Sequence, residues 1–395
     1  MHEALIGRAG LHLRSWVTGR RLLGDTPGGG TATVVLEDAA HLPALLASDV
    51  VGPRSLVLVP RGDADFAEPG GTRDTGETPG EGDGSTHGSG AVVVGFEGSL
   101  SEPGGDASIG GALFLQVQDY GTSPYMSLLG TTLVRVAGEA DFEAFLADAD
   151  RARLEGEFAA FAVSPAVQLA DLPALGSGES GDGPGTRLWV AADGGVSVSP
   201  QGARLGTVGD SAAALDARWA ELTAEDATGA PLSLTTAVPE GVRAAQTAER
   251  PWLARYMAAL DVLRDLHVHG VTDVRVSGFG GRLVPSLESV DGPRDADDPR
   301  APFLAWTPEA AYVRVPGHDR TFRLGRPAAG VAERLLVHGS PASALEHARA
   351  EAGGDAPAPL TEAAVTAVLA FFTERGVPLL PGAASDAAPA EVTGA

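Results

Sequence analysis

Between Phe303 and Leu380 the apolar residues stop alternating along the chain and begin to recur every third or fourth position. That change of period restricts the stretch to strands followed by helices. Val313 and Val315 alternate with Tyr312 and Arg314, and Phe322 and Leu324 with Thr321 and Arg323, as in a half-buried sheet. The expected strands are Phe303–Trp306, Ala311–Val315 and Thr321–Leu324, with Pro316-Gly317 opening the last turn. Helix signals follow. Ala328–Val337 carries Val331 and Leu335 and is closed by Gly339. Ser340 is placed to cap a second helix with Pro341 at its first position, where a missing N–H costs nothing, and Gly353-Gly354 stop it. After Thr361, the residues Val365, Val368, Leu369 and Phe372 fall at i, i+3, i+4 and i+7, before Gly376 and Pro378. The expected unit is a small winged-helix-like α+β module.

This order of elements, with its Arg-bearing strand pair, an A-x-x-A-E-R-L-L helix and the closing run ERGVPLL, resembles the PqqD-like RiPP recognition element. Such modules hold the leader of a ribosomally made precursor peptide. The longer runs EDAAHLPALLAS, GSLSEPGGDASIGGALFLQVQDYGTSPY, RLWVAADGGVSVSP and VRVSGFGGRL resemble the daptide-biosynthesis RiPP recognition proteins. The resemblance implies a recognition partner that binds a leader peptide for separate oxidoreductase, aminotransferase and methyltransferase enzymes.

Two absences restrict chemistry more than any motif. The chain has no cysteine, which removes disulfides, thiol nucleophiles, iron–sulfur clusters and thiolate zinc sites. It also has no lysine, all 28 basic residues being arginine, so no lysine Schiff base and no P-loop lysine exists. A net charge of −24 opposes binding to a polyanion over most of the surface. Arg314, Arg320, Arg323, Arg326 and Arg334 cluster in the C-terminal module and make a local basic face the expectation there. No apolar run reaches the roughly 20 residues of a membrane span, and the start MHEALIGRAGLHLRSW lacks a signal-peptide core. A cytoplasmic protein is expected.

A chain of 395 residues is long enough for two or three domains. Residues 1–155 alternate strand signals (Thr33–Leu36, Ser55–Val59, Ala91–Val94, Leu113–Val117, Thr132–Val136) with helix signals (Ala39–Ala47, Asp141–Ala152), which reads as an α/β domain. The Gly-rich acidic tract at 61–90 has almost nothing to bury and is expected as a disordered insertion. Gly104-Gly105 and Gly110-Gly111 match no phosphate or dinucleotide fingerprint and are read as turns.

Residues 156–299 read as a second α/β region. Leu188–Ala191 and Val196–Ser199 flank Asp193-Gly194, a pair suited to a tight primed hairpin turn, and a helix follows over Ala212–Leu222. The hairpin resembles the auxiliary SPASM domain of radical-SAM peptide-modifying enzymes without its cluster cysteines, Ser199 and Pro200 standing in that region; a plain hairpin is the alternative. Asp265-Leu266-His267-Val268-His269 has the letters of an amidohydrolase metal motif. It ends the helix Pro251–Leu266, however, and rings at i and i+2 of a helix point apart, so a metal site is rejected. Ser277-Gly278-Phe279-Gly280-Gly281 after an expected strand Val271–Val276 lacks the third glycine of a dinucleotide loop, Leu283 standing there, and is read as a turn. A charged linker, Asp291–Pro302, leads to the module at 300–382, and 383–395 reads as a disordered tail.

No nucleophile elbow, zinc-ligand spacing or phosphate loop remains, so neither a catalytic residue nor a cofactor or metal is expected. The resemblance implies strand addition of a leader to Thr321–Leu324. Arg314, Thr321, Phe322, Arg323, Leu324, Val365, Leu369 and Phe372 are the candidate peptide-binding residues, the last three as walls of a groove. The alternatives are a peptide-modifying enzyme whose α/β body acts on a recruited precursor, and a winged-helix DNA-binding regulator. The second requires a basic, polar recognition helix, whereas Thr361–Arg375 is mostly Ala, Val, Leu and Phe.

Overall fold

A computed structural model describes residues 2–21, 30–61, 85–86, 89–178, 182–225, 232–290, 295–316, 320–351, 360–377 and 379–380. The expectations placed on 62–84, Gly317, Gly353-Gly354, Pro378, 291–294 and the tail 383–395 lie outside those residues. The fold is mixed α/β, in two compact units: 1–145 with 166–249, and 146–165 with 250–395. These units differ from the three regions read from the sequence, because strands far apart in the chain share one sheet.

In the first unit, α1 (His2–Thr18), β1 (Thr33–Leu36), α2 (Leu42–Ala47), β2 (Leu56–Pro60), β3 (Ser85–Thr86), β4 (Val92–Gly98), β5 (Asp106–Ile109), β6 (Leu113–Asp119) and β7 (Thr131–Arg135) come first. Next is α3 (Glu139–Glu155), whose residues from Leu146 on count with the second unit. Then come β8 (Val167–Leu169), β9 (Arg187–Val190), β10 (Gly195–Ser197), β11 (Gly206–Thr207), α4 (Ala212–Glu225) and α5 (Glu240–Ala248). One sheet runs in the order β11-β10-β9-β1-β2-β4-β5-β6-β7-β8, with β3 on β4. β9 pairs parallel with β1, which makes the 187–197 hairpin an extension of the first domain's sheet rather than part of a separate region. Its turn also differs from the expected one. Only Gly194 has a positive φ, 77°, whereas a type I′ turn needs both central residues there. Ser85–Thr86, within the tract expected to be disordered, pairs with Val92–Val93, and β5 runs between the glycine turns where no strand was expected.

The sheet bends about α1, which contacts β1 and β9 toward one end and β8 at the other. Trp16 Nε1 donates to Leu188 O at 3.0 Å, and Asp171 N, just past β8, donates to Val17 O at 2.9 Å. Ala9, Leu13, Trp16 and Val17 fill the inner face with Val35, Leu58, Val94, Phe96, Leu115 and Leu133. The outer face over β9, β1 and β2 is covered by α2 and α4 through Leu42, Leu45 and Leu215. Buried Arg187 reaches Asp182 at 2.7 Å, Asp171 at 2.8 Å and Trp16 O at 2.8 Å, tying α1 to β9. Burial alone pulls the Arg187 guanidinium down, but Asp182 and Asp171 together hold it above its ordinary value. Burial draws Arg135, which stands over Trp16, down to about 10 despite the opposing pull of Asp171.

The second unit holds α6 (Leu253–Val268), β12 (Arg275–Val276), β13 (Phe303–Trp306), β14 (Ala311–Arg314), β15 (Thr321–Leu324), α7 (Arg326–His338), α8 (Pro341–Glu351) and α9 (Glu362–Thr373). The last three strands and three helices follow the sequence pattern closely. Thr361 caps α9 by accepting from Ala364 N at 3.2 Å, and Gly339 ends α7 at φ 66°. The antiparallel sheet is ordered β12-β13-β14-β15. Only Arg275–Val276 of the expected strand Val271–Val276 is extended into it. Gly280, in the expected turn, lies so close to Gly156 that a Cβ would sit 2.1 Å from its backbone nitrogen, which explains the glycine. Among the described residues no helix is long and apolar enough to cross a membrane.

Candidate functional site

β15 is the outermost strand of the second sheet. β14 pairs with one side of it, and among the described residues no strand pairs with the other. Its residues are half-buried or exposed, unlike the fully buried β13. An edge of this kind presents backbone N–H and C=O groups that a further strand can satisfy.

The register sorts the candidate residues onto two faces. Thr321 stands opposite Arg314 and Arg323 opposite Tyr312, in line with Phe303 and Ala305 on β13; Phe322 stands opposite Val313 and Leu324 opposite Ala311. The second face packs on the helices: Leu304, Ala311 and Val313 join Ala332, Leu335, Leu336, Val365, Val368 and Phe372 in one core. Half-buried Phe322 meets Phe372 edge-on at 5.3 Å and Phe371 at 5.9 Å between ring centres, which seats α9 beside the edge strand.

The other face was expected to hold free arginines, and here the structure differs. Arg314 Nη1 donates to Asp265 of α6 at 2.7 Å and to Thr321 Oγ1 at 3.1 Å, and Thr321 Oγ1 donates in turn to Asp265 Oδ2 at 3.3 Å. Arg255 of the same helix stacks on Phe303 at 3.3 Å and donates to Pro302 O at 3.0 Å, so α6 covers this face. Burial draws the Arg255 guanidinium down to about 9, against Asp295 and Asp298. Arg326 donates to Thr307 O at 2.6 Å and Arg334 pairs with Glu351 at 2.9 Å. Of the five arginines read as a basic face, Arg320, Arg323 and Arg326 are exposed, the last with its guanidinium held on Thr307 O. Periodicity had no means of showing that a helix residue 49 positions upstream in the chain supplies the counter-charge to Arg314.

The groove walls also shift. Val365 and Phe372 are buried in the core, which closes them to a ligand, while Leu369 remains half-buried. Phe371 was missed by the i, i+3, i+4, i+7 reading and is half-buried beside Phe322, with the Arg375 guanidinium 3.8 Å over its ring. The Phe-Phe pair was the available signal: when one ring of such a pair faces the core, its neighbour on a helix turns about 100° toward the rim. The accessible set is therefore Phe322, Arg323, Leu324, Leu369 and Phe371, with Arg375 above.

Behind this edge a buried carboxylate fixes α7. Glu333 accepts from Ser277 Oγ at 2.6 Å, Leu283 N at 2.8 Å and Val284 N at 2.6 Å, and Arg282 pairs with buried Asp295 at 2.7 Å. Burial raises the Glu333 carboxyl above its ordinary value, and these three donors oppose that rise. This clip holds the Ser277–Gly281 turn and explains its polar residue. His267 and His269 turn apart: His267 Nδ1 lies 3.0 Å from Val163 O and His269 Nδ1 2.8 Å from Asp265 O. Among the described residues no group of three or more His, Asp or Glu is arranged to hold a metal ion. No family model matches the chain, and neither a curated protein nor a solved structure gives a significant match.

Proposed function

We propose that this protein binds the leader of a ribosomally synthesised precursor peptide, of the daptide type that its sequence runs resemble, and presents it to separate modifying enzymes. The observation that carries this reading is the edge of β15: one side paired to β14, the other side without a strand among the described residues, and apolar side chains of α9 beside it. A leader segment adds there as a further strand. Its main-chain hydrogen bonds supply affinity, and alternate side chains meet Phe322, Leu324, Leu369 and Phe371 on one side and Arg323 on the other. In this reading β13–β15 with α7–α9 form the winged-helix-like recognition module, and the chain itself performs no step on the peptide.

The direct test is fluorescence anisotropy with the labelled cognate leader. Leu369→Asp weakens binding by about tenfold or more, as expected for a contact residue. Replacing single leader residues by proline weakens it by about threefold to tenfold wherever a ladder N–H is lost. Binding unchanged in both series overturns the site. Conversion of the precursor by the purified chain alone overturns the non-catalytic reading.

A further inference from the structure

The first unit carries a second concave feature, independent of the edge strand. On the outer face of its sheet, the rows Glu97–Ser108–Phe114 and Asp106–Gln116–Thr132 lie side by side across β4 to β7. All of these but the buried Thr132 line a cleft of about 350 Å³, and Leu129 and Thr131 line it from the β7 side. On the reverse side Ala107 and Leu115 are locked into the inner core, so the floor of the cleft is fixed backbone. Gln116 Oε1 accepts from Leu129 N at 3.0 Å and Gln118 Nε2 donates to Ser127 O at 3.5 Å, which holds the 127–129 loop along β6. The two walls are thus positioned without a ligand, yet Phe114 is 66% exposed and Leu129 83%. Tyr125 and Met126, just before the loop, are exposed as well. Large apolar groups concentrated in this way mark interaction sites.

The rim has a definite charge. Among the described residues Glu97 pairs only with Arg61, in a long, solvent-exposed ion pair at 3.9 Å, and Asp106 makes no ion pair. A second copy of this chain would bring another net charge of −24 against that rim, which disfavours self-association. We propose that the cleft docks a segment of a partner protein presenting one large apolar side chain between arginines or lysines. The apolar group enters between Phe114 and Leu129, and the flanking cations meet Glu97 and Asp106.

Short labelled peptides with a central Trp flanked by Arg, titrated against the full chain, test this. Such a peptide binds, and exchange of its Trp for Ser or of its Arg for Glu weakens binding by about tenfold or more. Phe114→Ser gives a similar loss with an unchanged thermal midpoint, since the ring is exposed. The double exchange Glu97→Arg with Asp106→Arg transfers the preference to the Glu-flanked peptide. Absence of binding by any of these peptides at millimolar concentration overturns the proposal, as does binding that survives both Phe114→Ser and the charge exchange. Dimerisation of the wild type that Phe114→Ser abolishes overturns it in favour of a second copy.

Discussion

Arg187 and Glu333 show how much of this molecule rests on single buried charges. Arg187 is held between Asp171 and Asp182 and donates to the end of α1, so Arg187→Met removes the ion pair of both buried carboxylates and leaves Asp171 only the charge of Arg135. A loss of about 3–5 kcal/mol is expected, read as a lower urea midpoint. The shift of Glu333 runs opposite to that of an ion-paired carboxylate. Because burial raises its folded value above the ordinary 4.5, its contribution to stability is complete below that pH and is lost as pH rises through the raised value. Glu333→Gln cannot ionise. The difference in thermal midpoint between variant and wild type therefore moves in the variant's favour as pH is raised from about 4.5 to neutrality. A difference independent of pH would show that folding leaves the Glu333 carboxyl at its ordinary value. Neither residue was legible as buried: a Glu inside A-x-x-A-E-R-L-L reads as a solvated helix position until the 277–284 turn supplies its donors.

On α9 adjacent residues are expected to separate stability from the proposed leader binding. Phe372 is in the core and Phe371 is at the rim. Phe372→Ala costs about 3–5 kcal/mol and lowers the thermal midpoint. Phe371→Ala leaves the midpoint close to that of the wild type and weakens leader binding by about fivefold to tenfold. Parallel melting and anisotropy measurements distinguish the two, and a reversal of these effects would exchange their assignments. The strand edges and helix spans of this module were legible because alternation, caps and glycine stops are local signals, as at Thr361 and Gly339. The cover over Arg314 was not, since α6 reaches it from outside the module, and the burial of Val365 and Phe372 depends on how β13, β14 and α7 close over α9.

For the molecule as a whole, the net charge of −24 sets the response to salt. Dispersed like charges repel most in the compact state, and screening relieves this. Raising NaCl from about 20 to about 300 mM is expected to raise the thermal midpoint by a few degrees, and the same change weakens the cationic-peptide binding at Glu97 and Asp106. A midpoint insensitive to salt would mean that the carboxylates are locally compensated. The mixed α/β class was evident from alternating strand and helix signals. The division into units was not, because β9 joins β1 across about 150 residues of chain, a pairing with no local signature.

The sequence by itself determined the strands and helices of the C-terminal stretch and several strands of the first unit, which chemistries lack their residues, and that Thr321–Leu324 is a strand with one apolar face. Tertiary structure decided the neighbours. It seated α1 inside a bent sheet, placed β15 at an edge, gave Arg314 to Asp265 rather than to solvent, and brought exposed Phe114 and Leu129 to one cleft with Glu97 and Asp106. The physical reason is range. Backbone propensity and capping act within a turn or a strand, whereas burial and charge pairing depend on which distant segment fills the space beside a residue.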